Sequence, residues 1–306
     1  MQTMRYYSFN NYLREKFGTK VQRLSLNAGF TCPNRDGTLS NEGCIYCNEE
    51  AFSPFAAKNI SLDKQIEESM AFAARRYGAE KFIAYFQNAT GTYAPVAKLK
   101  ETYDIIRNYP DIVGLFISTR PDCIDSSKLD LIKEYTHDYE VWIEYGLETI
   151  HDRVLEVLNR KHTFAQTCSA IEETAARGIK VGVHVILGLP GETASDMIKT
   201  AIKISNLPVS GVKFHVLHVL RNTRLEIMFN AGKIKLLDIE EYVSIISEFI
   251  EHLPRECVVL RLVSDAKKEF LVAPEWMSGK QKVISAIKKR LESLDMHQGV
   301  KKEGYK

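Results

Sequence analysis

No stretch of the 306-residue chain holds the roughly 18 consecutive apolar residues that a membrane-spanning helix needs, so none is expected. The opening run, Met1-Gln-Thr-Met-Arg-Tyr-Tyr-Ser-Phe-Asn10, is polar and aromatic and lacks the continuous apolar stretch of a secretory signal. Net charge is nearly absent as well. The 41 Lys+Arg and 39 Asp+Glu residues leave +2, too little for bulk charge to name a partner. A Ser/Gly/Pro-rich linker and an internal repeat of fixed period are both missing. Disorder needs low hydrophobicity with high net charge, and 45% hydrophobic residues exclude it. A cytoplasmic protein with a packed core and no membrane partner is the expectation.

What is present alternates. Runs rich in β-branched and aromatic residues at Val21–Asn27, Lys81–Gln87, Ile112–Thr119, Val141–Glu148, Lys180–Leu187 and Val212–Leu220 predict six strands. Helical patterns lie between them at Asp63–Tyr77, Ala97–Asn108, Ser127–Tyr135, Asp152–Leu158, Phe164–Arg177 and Ala194–Asn206. Such alternation predicts βαβ units and a parallel sheet, either doubly wound or a partial barrel, with the active site at the carboxyl ends of the strands. The residues there are polar or Gly-rich: Gln87–Gly91, Ser118–Asp122, Glu144–Glu148 and Gly188–Glu192. Beyond residue 222 the pattern changes to a helix over Asp238–Glu251, a strand over Val258–Val263 and a basic helix over Gly279–Leu294. Residues 1–222 are therefore expected to form the core and 223–306 an extension packed on it. From Ser278 to the end, eight Lys/Arg face three acidic residues, which reads as a solvated helix face or a phosphate-binding patch.

Three of the six cysteines fall within 16 residues. Cys32, Cys44 and Cys47 form C-x11-C-x2-C on the loop after the first strand, and no further Cys or His occurs before residue 100. A structural zinc site wants four protein ligands. Three thiolates with an open position suit an iron–sulfur cube whose fourth iron is left for a small molecule. Zinc with a distant fourth ligand such as His162 or His184, and unrelated thiols, are the alternatives. Cys123, Cys168 and Cys257 have no partner spacing and read as buried small hydrophobes.

The cysteine segment, with Ala28-Gly-Phe-Thr-Cys-Pro-Asn-Arg-Asp-Gly37 at its head and Leu271-Val-Ala-Pro-Glu-Trp276 near the end of the chain, resembles the radical S-adenosylmethionine (SAM) enzymes. The similarity is to the group related to the catalytic subunit of Elongator, and within it to the YhcC/YtqA-type family. It implies an α/β fold, a partial (βα)6 radical SAM barrel with a small C-terminal α/β extension. It also implies a [4Fe-4S] cluster on Cys32, Cys44 and Cys47, SAM chelated at the open iron, and a one-electron donor such as flavodoxin or ferredoxin.

By the same resemblance, the backbone at Tyr46 lies beside adenine, and Gln87, Asn88 and Thr90 occupy the place where relatives hold the SAM amino group. Ser118, Arg120, Asp122 and Glu144 stand where the ribose hydroxyls and methionine moiety are bound. A carboxylate accepting from hydroxyls is sensible there, and the bland reading of Glu144 is a buried ion pair with Arg120. The run Leu158-Asn-Arg-Lys-His-Thr163 resembles an Arg-Gly-His-Thr segment, which makes Arg160 the partner of the SAM carboxylate and leaves Lys161 in place of a glycine. His184 and the turn Gly188–Gly191 resemble the part that packs on adenine. Lys213 and His215 are the expected catalytic residues facing substrate, with Arg221 beside them, and their bland reading is a satisfied core. The group acts on the wobble uridine of tRNA, and its YhcC/YtqA-type members are linked to converting a carboxymethylaminomethyl side chain to aminomethyl. A radical enzyme acting on a metabolite or peptide is one rival reading. A zinc-stabilised nucleic-acid-binding protein without catalysis is the other.

Overall fold

The computed structural model describes residues 4–52 and 60–303. Seven parallel strands form one curled sheet, a half-barrel: β1 (Val21–Leu26), β2 (Lys81–Phe86), β3 (Ile112–Thr119), β4 (Glu140–Glu148), β5 (Lys180–Leu187), β6 (Gly211–Val216) and β8 (Val258–Arg261), in that spatial order. Two short strands, β7 (Val219–Leu220) and β9 (Leu271–Ala273), pair antiparallel beside it.

The α/β reading holds, with two differences. The expected single strand Val212–Leu220 is two strands, because the chain leaves the sheet after Val216 to meet β9. The sheet also has a seventh member, β8, which comes from beyond residue 222 and pairs with β6.

Period-two alternation divides the barrel strands into an outer and an inner set. Outward residues such as Leu24, Phe86, Ile117, Tyr145, Val183 and Phe214 meet the helices in the main apolar core. Inward residues form layers. At the bottom Phe116, Trp142, Val258 and Leu260 close the barrel together with Tyr12 and Leu13 of the helix Phe9–Phe17. That helix starts at Ser8, whose hydroxyl caps the Asn11 amide, and stops at Gly18, which takes the left-handed φ of +66° that glycine tolerates. Its residues Phe9, Tyr12, Leu13 and Phe17 share one face at i, i+3, i+4 and i+8. The segment before it is tied to the sheet by the Val259 amide donating to the Tyr7 carbonyl at 2.8 Å.

Glycines on the inner face leave room for larger neighbours. A Cβ at Gly211 would meet the Trp142 ring at 2.9 Å, and one at Gly182 would meet Glu144 Cγ at 2.9 Å. The barrel is thus plugged by apolar rings below and polar above.

Candidate active site

A cavity of about 670 Å³ opens at the carboxyl ends of the strands. Cys32, Cys44 and Cys47 all line it, and none of the three is in a disulfide. The loop that carries them is stapled to the segment after β4. The Ile45 amide donates to the Leu158 carbonyl at 3.1 Å, Asn34 Nδ2 to the Asn159 carbonyl at 2.6 Å, and Asn159 Nδ2 to the Gly43 carbonyl at 2.7 Å. To make these bonds the chain turns through left-handed backbone at Asn159 and Lys161, both with φ of +59°. Lys161 therefore adopts a backbone conformation that glycine takes most readily.

Arg160 is the hub of this wall. Its Nη1 lies 3.5 Å from Cys44 Sγ and from Tyr46 Oη, its Nη2 donates to the Gly146 carbonyl at 2.7 Å, and Glu148 Oε1 is 3.6 Å away. Burial would lower the guanidinium, but Tyr46, Cys44 and Glu148 hold it well above its ordinary value. Nε donates to His162 Nε2, so that ring accepts, and burial beside Arg160 pulls His162 down to about 2. Arg120 is fixed by Asp122 through two bonds of 2.9 and 2.8 Å and donates to the Arg160 carbonyl at 2.7 Å. Its Nη1 remains buried without a partner, a donor left for a ligand.

Gln87, Asn88, Thr90, Ser118, His184, Lys213 and His215 also line the cavity. Asp122 and Glu144 do not. Asp122 orients Arg120 from behind. Glu144, expected at the ribose or paired with Arg120, sits fully buried beneath the cavity with other partners. Its Oε2 accepts from Tyr85 Oη at 2.7 Å, His184 Nε2 at 2.7 Å and Lys213 Nζ at 2.9 Å, while Arg23 Nη1 lies 3.4 Å from Oε1. The turn Gly188–Gly191 faces elsewhere, with Gly188 against Leu237. Arg221 donates to the Glu269 carbonyl outside the cavity lining.

Glu148 and Arg261 line the cavity and were not singled out by sequence reasoning. Glu148 ends β4 at a bulge with φ of +63° and accepts from Tyr46 Oη at 3.2 Å, and burial raises its carboxyl. Its signal was the period-two spacing from Glu144 across Gly146. For Arg261 the signal was one cation inside the apolar run Val258–Val263.

The lining carries eight Lys/Arg side chains against two carboxylates, Glu148 and Asp265. A chain of net charge +2 has concentrated its positive field in one cleft.

Three cysteines on one cavity, a buried guanidinium on one sulfur and an unpaired arginine donor fit an iron–sulfur centre with an anionic ligand. Among the described residues no three His, Cys, Asp or Glu side chains converge on one metal ion. The zinc reading loses its fourth ligand too, because His162 is engaged by Arg160 and His184 by Glu144. A cube meets its ligands at separate corners and does not need such convergence.

Gly146→Ala tests this packing. The added Cβ would lie 2.7 Å from Arg160 Nη2 and 2.8 Å from Glu148 Oε1. The expected result is a full iron load with 5′-deoxyadenosine release lowered about tenfold or more, since small misplacements at a reacting centre are costly.

Known proteins resemble the chain over most of its length. The Radical SAM superfamily profile matches residues 37–204, and the Radical_SAM C-terminal domain profile matches residues 209–293. Uncharacterized protein YtqA of Bacillus subtilis is 36% identical over 296 residues, covering 96% of this chain and 92% of that protein. Protein YhcC of Escherichia coli is 37% identical over 269 residues, covering 88% and 86%. A tRNA uridine(34) acetyltransferase of Methanocaldococcus jannaschii is 28% identical over 163 residues, 52% of this chain and 30% of that protein. Among solved structures, the archaeal Methanocaldococcus infernus Elp3 superposes with a TM-score of 0.65 at 16% identity, covering 92% of this chain and 64% of that one.

Proposed function

The chain belongs to the radical SAM superfamily, in its YhcC/YtqA-type family, and from that premise we propose that it modifies the C5 side chain of the wobble uridine in tRNA, taking carboxymethylaminomethyl to aminomethyl. Its cofactors are a [4Fe-4S] cluster and SAM. The observation that carries the reading is that Cys32, Cys44 and Cys47 all line one cavity rich in Lys and Arg. The tRNA half draws support from the partial likeness to a tRNA uridine(34) acetyltransferase.

Held by these residues, the cluster and SAM would supply radical chemistry able to act on an unactivated C–H bond. The protein places the reactants and excludes water. Cys32, Cys44 and Cys47 would ligate iron, and Arg160 would steady the Cys44 sulfur through Nη1 while facing the SAM carboxylate. Arg120, locked by Asp122, offers its free Nη1 at the same level. Gln87, Asn88, Thr90 and Ser118, at the ends of β2 and β3, would present polar groups to the rest of SAM. Glu148, held by Tyr46 and Arg160, is a carboxylate available to hydroxyls. Lys213 and His215, also in the lining, would meet the substrate. Lys267 and Lys280 stand among the lining residues as phosphate contacts for an RNA backbone. A flavodoxin or ferredoxin in the cytoplasm would deliver the electron.

The test is 5′-deoxyadenosine release by anaerobically reconstituted protein given SAM and a strong reductant, with and without bulk tRNA. Release stimulated by tRNA is expected. Release indifferent to tRNA from a protein with a full cluster would remove the tRNA half.

A further inference from the structure

We propose that the floor of the cavity, built by Lys213, Arg261 and Arg23 around Glu144, is a receptor for a carboxylate at the tip of the substrate. The proposal rests on the reading above that substrate enters this cavity. It adds which group of the substrate reaches the bottom and what recognises it.

The floor has more positive charge than its one carboxylate can balance. Lys213, 3% exposed, donates to Glu144 at 2.9 Å and to Tyr85 Oη at 2.5 Å. Arg23 reaches the other oxygen of the same carboxylate at 3.4 Å and lies over the Phe9 and Tyr85 rings. Arg261 arrives from β8 with Nη2 at 2.8 and 2.7 Å from the two ring nitrogens of His215. Lys213 and Arg23 thus share the one Glu144 carboxylate, and the Arg261 guanidinium stands against His215 with no carboxylate bonded to it. The two histidines add nothing negative: burial and nearby cations pull His184 to about 4 and His215 well below its ordinary value. The second carboxylate in reach of Arg261, Asp265, is taken by Lys280.

One donor is left over. Arg261 Nε is shut off from water and has no hydrogen-bond partner. A guanidinium edge with a spare N–H next to an ammonium group matches a carboxylate, which accepts two parallel bonds. The lining also includes Lys213 and His215, so the floor is reached through the cavity. Below it the barrel is closed by Phe116, Trp142 and Leu260.

Other anions have nearer partners. The SAM carboxylate has Arg120 and Arg160 on the cysteine wall, and backbone phosphates have Lys267 and Lys280. Only the end of a side chain projecting into the barrel would meet Arg261.

The experiment uses the reconstituted holoprotein with SAM saturating, so that the cofactor's own carboxylate is already placed. Dissociation constants are measured by ligand-observed NMR for acetate, for its uncharged isostere acetamide and for inorganic phosphate. Acetate is expected to bind about tenfold tighter than acetamide, the usual scale of one charge-assisted contact. Arg261→Gln should erase that preference, and Arg261→Lys should restore part of it, which separates lost recognition from lost folding. Equal binding of acetate and acetamide by the natural protein would overturn the proposal. So would a preference untouched by Arg261→Gln. Phosphate binding tighter than acetate and weakened by Arg261→Gln would assign the floor to phosphate and overturn the carboxylate. An intact acetate preference beside tRNA-independent 5′-deoxyadenosine release would sink the tRNA reading and leave the floor standing. The reverse pattern would sink the floor alone.

Discussion

Replacing Cys44 by alanine is expected to abolish 5′-deoxyadenosine release and strip the chain of most of its iron while leaving the melting temperature of the apoprotein nearly unchanged. The three cysteines sit on a loop held by the Ile45 amide on the Leu158 carbonyl and by the side-chain amides of Asn34 and Asn159 on the Asn159 and Gly43 carbonyls, none of which uses a sulfur. The Cys44 sulfur itself is met by Asn34 Nδ2 at 3.6 Å and Arg160 Nη1 at 3.5 Å, two donors that stabilise a ligated thiolate without forming the loop. Iron per chain, about four for a full cube, is the direct readout. Cys257→Ala is the control. That thiol is 1% exposed, burial pushes it up to about 12, and it packs in the helix-side core, so iron and activity should persist. A Cys44→Ala protein that kept a full cluster would remove Cys44 from the ligand set.

How far the chain could be read in advance depended on how local each cause was. The strands β1 to β5 follow from runs of β-branched and aromatic residues, a property of adjacent residues, and the structure places them where those runs lie. The break after Val216 does not show in such a run, because its cause is β9, more than fifty residues further on. The helix Phe9–Phe17 was hidden for a similar reason. Its aromatic face looks like loop chemistry until Trp142 and Phe116 supply the surface it covers. In the expected helix Ala97–Asn108 the α-helix ends at Asp104 and a tighter 3₁₀ turn carries the chain to Asn108, a boundary shift of the ordinary kind.

The site divides along the same line. Cysteine spacing is a local signal, and Cys32, Cys44 and Cys47 all line the cavity. The partners of Glu144 come from β1, β2, β5 and β6, so no window of sequence contains them. Arg261 was harder still. It lies in a segment expected to belong to an extension, and it becomes part of the cavity only because β8 completes the sheet.

Glu144→Gln is expected to lower stability by about 3–5 kcal/mol, the usual result of removing one member of a buried ion pair. For a chain of this length that is a fall in melting temperature of about 5–8 °C. Glutamine keeps the shape, which matters because Gly182 leaves no slack at Cγ, but it removes the carboxylate that Arg23 and Lys213 share. Burial would raise the Glu144 carboxyl, and Lys213, His184 and Arg23 together hold it well below its ordinary value. It is therefore ionised wherever the protein is folded near neutrality. Lys213 is pushed the other way. Burial, Arg261 and Arg23 outweigh the pull of Glu144 and bring it to about 7, while Tyr85, well above its ordinary value, stays protonated beside it.

The sign of the pH dependence follows. Between about pH 7 and the ordinary lysine range the unfolded chain holds a proton that the folded chain has released, so stability attributable to Lys213 rises with pH there. Without Glu144 the folded Lys213 releases its proton at still lower pH. Above about 7 the lysine is then neutral in both proteins and contributes nothing to their difference. Below about 7 only the natural protein keeps the charge at reduced cost. The deficit of Glu144→Gln should therefore widen as pH falls from 8 to 6. Chemical denaturation at several pH values in that window measures it. A deficit that stays flat, or that narrows on acidification, would mean that Lys213 is not the group that feels the loss of Glu144.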